Sequence, residues 1–114
     1  MTSARLPALV EAAGLIRRAQ GDGDFATVVK KGDPDRGSIL LMISSRGRHV
    51  ACLERTLGLD GGYQWVSVGP SESAGSNEIG DFLAKRTRFD PDLWAIELDI
   101  AEPERFIAET RLTG

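Results

Sequence analysis

His49 and Cys52 stand three residues apart, and they are the sole histidine and sole cysteine of the chain. A cysteine within reach of a histidine can form a thiolate nucleophile, so this is the first pair to test for chemistry. Both fall in His49–Arg55, which reads as a strand. Side chains alternate along a strand, so an odd separation sends them to opposite faces unless a bulge intervenes. The spacing predicts Cys52 as a small buried hydrophobe, slow to react with thiol reagents, and His49 as a surface imidazole. One cysteine and one histidine also exclude an intramolecular disulfide and a Cys/His zinc set within one chain.

The acidic pairs Asp22/Asp24, Asp33/Asp35 and Asp90/Asp92 are the next candidates, since alternating aspartates can hold a hard cation. None has the calcium-loop spacing with its terminal glutamate. Turn chemistry accounts for Asp33-Pro34-Asp35, where aspartate opens the turn and proline presets its second position, and Asp90-Pro91-Asp92 stops a helix in the same way. Whether Asp33, Asp35, Asp90 and Asp92 meet in space is a matter of tertiary structure, and meeting would create a carboxylate cluster. The glycines of 58–62 lack the order of a phosphate-binding loop, and a nucleophile-elbow serine is absent. Lys85, Arg86 and Arg88 gather at a helix end beside Phe89, where they complement the helix dipole and could touch an acidic partner or a phosphate. Arg17, Arg18, Lys30 and Lys31 read as solvated charge, and Trp65 and Trp94 as core anchors. These readings assign no catalytic, cofactor-binding or metal residue, and no cofactor is expected.

The elements that must position these residues come from patterning. The chain has 114 residues and a mass of 12.3 kDa, the size of one domain covering 1–114. Fourteen basic against 17 acidic residues leave a net charge of -3, which disfavours nucleic acid as a partner. The longest apolar run, Ile39–Ile43, is far short of a membrane span, and the N-terminus carries no signal-peptide core, so a cytoplasmic location is expected.

Residues 7–19 read as a helix with Leu9, Val10, Ala13 and Ile16 on its apolar face. Strands are predicted at Phe25–Lys30, Ser38–Ser44, His49–Arg55 and Tyr63–Val68, paired antiparallel because their connections are too short for helical crossovers. The unalternating Ile39–Ile43 implies cover on both faces of that strand. Ser76 is expected to cap a helix reaching Arg88, with Ile79, Phe82 and Leu83 buried. Leu93–Ile100 alternates as a strand with Trp94, Ile96, Leu98 and Ile100 on one face, and Pro103–Leu112 completes the chain as a short helix. The expected fold is α+β: a mainly antiparallel sheet of four to five strands, with two or three helices packed on one face. In it Trp94, Ile96 and Leu98 face the helix Ser76–Arg88.

Three stretches carry a resemblance: Phe25–Asp33, then Gly37 opening an apolar strand, and Phe89-Asp90-Pro91-Asp92-Leu93-Trp94 running into Ile96-Glu97-Leu98. With Glu104-Arg105-Phe106-Ile107 they make the chain resemble a domain-of-unknown-function family of short alphaproteobacterial proteins, about 110 residues long. The resemblance implies a bacterial, uncharacterised protein and carries no catalytic residue across.

Two functions follow as expectations. The first is a non-enzymatic binding or interaction module, acting through a sheet edge or the helix-flanked face. The second is a small hydrolase or metal-dependent enzyme using clustered carboxylates. An open sheet keeps two edges. Lys30, Lys31 and Pro34 protect one, whereas Tyr63–Val68 carries no charge, so Gln64, Val66 and Val68 are expected near a homodimer contact.

Overall fold

The computed structural model describes residues 6–113. They form α1 (Ala8–Gly21), β1 (Phe25–Lys30), β2 (Ile39–Ser45), β3 (Arg48–Leu57), β4 (Tyr63–Val68), α2 (Ser76–Phe89), β5 (Trp94–Asp99) and α3 (Pro103–Thr113). One sheet holds the five strands in the order β1-β5-β2-β3-β4. The fold is α+β with a mostly antiparallel sheet, as the patterning implied.

Local chemistry explains the hairpins. Arg46 and Gly47 join β2 to β3 with φ of 53° and 78°, the paired left-handed conformation of a two-residue hairpin turn. The Asp99 carboxylate accepts their backbone N–H groups at 2.9 and 3.0 Å, tying the turn to the end of β5.

The predicted pairing of β1 with β2 does not occur. β5 lies between them, antiparallel to β1 and parallel to β2. Segment 31–38 wraps the start of β5 instead of closing a hairpin. Asp33 N donates to Asp92 O at 3.0 Å, Trp94 Nε1 donates to Asp33 O at 2.7 Å, and a Cβ on Gly32 would overlap the Asp92 carbonyl. The reason lies in β2, whose first six residues are all buried and which therefore needs a strand on each side and cover on both faces.

The helices accordingly lie on both faces, not on one. Ile39, Leu41, Ile43, Leu53, Trp65, Trp94, Ile96, Leu98 and Ile100 pack against Ala8, Ala12 and Ala19 of α1 and Phe106 of α3. Leu40, Met42, Cys52, Leu93 and Ala95 meet Ile79, Phe82 and Leu83 of α2 on the other face. Trp94, Ile96 and Leu98 thus face α1 and α3, with α2 on the far side of the sheet. β4 and β5 run parallel, so α2 is a crossover between parallel strands, and the fixed hand of such crossovers selects a single face for it.

Two further expectations are corrected. The buried stripe of α1 is Ala8, Glu11, Ala12 and Ala19, whereas Leu9 and Val10 are about half exposed. Its first turn is docked by Ala8 N and Leu9 N donating to Asp35 O and Pro34 O, which turns the small alanines onto the sheet. At α2 the cap position is Gly75 with no side-chain cap bond, and Ser76 is the first helical residue.

Candidate functional site

The register of β2 with β3 shifts at a bulge: Ile43 pairs Ala51, Ser44 pairs His49, and Val50 is the extra residue. This reverses the expected geometry, turning His49 to the same face as Cys52. His49 is also buried, not at the surface. Its Nε2 lies 3.2 Å from Pro70 O, and because a carbonyl can only accept, the ring donates from Nε2. Ser73 N donates to His49 O at 2.9 Å, so this residue anchors the segment leading into α2 from both its ring and its backbone.

Cys52 is fully buried under α2, and burial pushes its thiol up to about 11. The group is neutral at pH 7 and is a poor nucleophile. Ellman's reagent is expected to modify the native protein at least about a hundredfold more slowly than the urea-unfolded chain at pH 8; comparable rates would refute the buried thiol. The unfolded thiol loses its proton near 9 and the folded one only near 11, so the native state holds more protons across that window. Stability from this group is therefore constant below the window and falls as pH rises through it, by about 2–3 kcal/mol at most. The difference between wild type and Cys52→Ala in urea unfolding from pH 8 to 11 isolates it.

Beside these residues α2 covers the sheet incompletely. A cleft of about 310 Å³ opens between the helix and the sheet, with Met42, Ser44, His49 and Glu97 on the sheet side and Ile79, Gly80 and Leu83 on the helix side. No residue of α2 is fully buried. Ile79, Phe82 and Leu83 hold the helix to the sheet, with Phe82 filling the space a side chain at Gly69 would need, and Arg86 pairs with Glu54. Val29 of β1 extends the cleft wall, and Phe25, on the same face of that strand, is 75% exposed.

The aspartates behave as turn residues. The 31–38 and 90–93 segments do meet, through Asp33 N and Asp92 O, but their carboxylates are used locally. Asp33 Oδ1 accepts from Arg36 N and Asp35 N at 2.7 and 2.9 Å, which holds its carboxyl below the usual range, and Asp90 Oδ1 accepts from Asp92 N at 3.2 Å. Among the described residues no group of three or more His, Cys, Asp or Glu could hold a metal ion. A separate acidic cleft of about 260 Å³ brings Asp22 and Asp24 to Glu102 and Glu109 of the α3 end, with Arg105 among them. The sequence offered Asp22 and Asp24 but no signal for their partners, which are some 80 residues distant.

Of the expected interaction residues, Gln64, Val66 and Val68 lie on β4, the outer strand beside β3. Gln64 is exposed, while Val68 packs toward α2. Lys85 and Arg88 are exposed, and Arg86 is engaged by Glu54.

Fold and site together define an α+β domain with one five-stranded sheet between two helical layers and clefts at the helix edges. The chain belongs to the family described as protein of unknown function DUF1491, whose profile matches residues 6–108. It is similar to the crystal structure of a DUF1491 family protein from Caulobacter crescentus CB15, with 29% identity, a TM-score of 0.77, and coverage of 90% of this chain and 94% of that one. Protein Atu0922 from A. tumefaciens, solved in solution, is also similar, at 27% identity and a TM-score of 0.70, covering 84% of this chain and 86% of that one. No curated protein matches. No helix among the described residues is long and apolar enough to cross a membrane.

Proposed function

We propose that this protein is a non-enzymatic binding or interaction module of the bacterial cytoplasm, and that its binding surface is the cleft beside α2. The observation that carries the reading is the incomplete cover of one sheet face. An apolar floor with a few convergent polar groups, Ser44, His49 and Glu97, continues onto the exposed Phe25 and Val29. Cys52, in the core cluster under α2, is buried with its thiol pushed up to about 11.

Gly80→Phe tests the reading. Gly80 lines the cleft and a Cβ there meets nothing within 4 Å, so a ring has room at the cleft mouth without disturbing the core, and replacing glycine favours the helix. Affinity capture from native cell extract is expected to retain at least one species on wild type that the folded Gly80→Phe protein loses by about tenfold or more. Equal capture by both proteins would overturn the cleft as the binding surface. A second reading, a small hydrolase using clustered carboxylates, draws on the acidic cleft of Asp22, Asp24, Glu102 and Glu109, whose carboxylates do not form a metal-binding group among the described residues. Its Arg105–Glu109 pair at 3.7 Å, and the bond from Ala101 N to Asp24 Oδ1 at 3.0 Å, already engage two of those four carboxylates.

A further inference from the structure

The opposite face of the sheet carries a different cleft, of about 300 Å³, between α1, α3 and the β3–β4 hairpin. Arg17, Arg18 and Arg55 line it against a single acidic residue, Glu11, which gives it a local charge of +2 in a chain of net charge -3. Leu6, Val10, Leu15 and Trp65 supply apolar wall, and Gly14 and Thr110 complete the lining. We propose that this cleft is a binding site for a small organic monocarboxylate with an apolar body.

The state of the arginines supports the class of ligand. Arg55 is matched internally: its guanidinium pairs with the Glu11 carboxylate and lies 5.0 and 5.9 Å from the Tyr63 and Trp65 ring centres. Arg18 is held differently. It stacks 3.8 Å over the Phe106 ring and donates from Nη2 to Phe106 O and Thr110 Oγ1, both of which are neutral acceptors. The Nε atoms of Arg18 and Arg55 are both buried without a hydrogen bond among the described residues, so the neutral acceptors on Arg18 Nη2 are what distinguish it. Desolvation outweighs the attraction of Glu109 and Asp22, so its pKa lies below the ordinary arginine value. A cation so placed is preorganised by the ring and the two acceptors, and an added carboxylate would supply the countercharge that replaces its lost solvation. A single carboxylate suffices as partner, because Arg55 is already matched by Glu11 and Arg18 is the cation held only by neutral acceptors. The apolar walls reward a hydrocarbon or aromatic body, and the volume sits at the small end of ligand cavities.

The test is a titration of the full ¹⁵N-labelled chain with 4-phenylbutyrate, its neutral amide, and inorganic phosphate, followed by the Arg18 Nε–H and Trp65 indole N–H resonances. Saturable shifts at these two groups with the carboxylate are expected, with the amide and phosphate each at least about tenfold weaker. Arg18→Gln should abolish the preference for carboxylate over amide. Gly14→Leu leaves all three arginines in place and fills the cleft, since a Cβ there comes no closer than 4.0 Å to Arg17 Nη2, and it should abolish binding without changing the fold. Gly80→Phe should leave binding unchanged, which separates this site from the cleft beside α2. Equal affinity for the amide or for phosphate, shifts confined to other residues, absence of saturation, or undiminished binding by folded Gly14→Leu would each overturn the proposal.

Discussion

Trp94→Ala is expected to lower the free energy of unfolding by about 3–5 kcal/mol, a large part of the stability of a domain this size. The indole is 4% exposed and sits in the core cluster with α1 and α3. Its loss opens a cavity and also leaves the Asp33 carbonyl without the 2.7 Å bond from Nε1. That bond fastens segment 31–38 across the start of β5, so the damage extends from packing to topology. Trp94→Phe keeps most of the contact area and loses the bond, and should cost roughly 1–2 kcal/mol. Urea unfolding followed by far-ultraviolet circular dichroism measures both; an unchanged midpoint for the alanine variant refutes the core position. The two-faced packing has its own signature. Ile79 belongs to α2 and packs on the other side of the sheet, so Trp94→Phe and Ile79→Ala should add to within about 0.5 kcal/mol.

Glu11→Ala should destabilise the protein by about 3 kcal/mol or more. The Glu11 and Arg55 side chains are only 7% and 22% exposed, and removing the carboxylate leaves the guanidinium desolvated without its countercharge. Arg55 also carries the Tyr63 and Trp65 rings beside it, so the loss loosens α1 against the β3–β4 hairpin. The paired replacement Glu11→Leu with Arg55→Met removes both charges and keeps apolar volume, and should recover most of the loss. A double variant as unstable as the single one, by the same urea measurement, would show that the pair acts through something other than its buried charge.

Elements whose identity depends on local pattern were legible in the sequence. The alternation of Leu93–Ile100 places Trp94, Ile96, Leu98 and Ile100 on one face, as the structure shows, and Pro91 closes α2 just before it. Ile39–Ile43 announces a strand covered on both sides, and Asp33-Pro34-Asp35 announces a turn. The same run also contained the reason for helices on both faces, since a strand buried on both sides cannot belong to a sheet with one bare face. The family resemblance rested on segments such as Arg88–Trp94, and membership in DUF1491 agrees with it.

The candidate sites lay beyond such patterns because they depend on one residue of register or on distant partners. A single extra residue, Val50, rotates His49 from one face of β3 to the other, and side-chain spacing cannot report an insertion in the ladder. Arg18 looked like solvated charge at a helix end, and only the return of α3 places Phe106 and Thr110 against it, 88 and 92 residues away. The sequence determined the elements, the turns and the buried strand, because each is set by contacts between near neighbours. Tertiary structure decided the insertion of β5 between β1 and β2, the face taken by each helix, and the meeting of Arg18 with Phe106. Those depend on which distant surfaces bury one another, and local periodicity is silent on that choice.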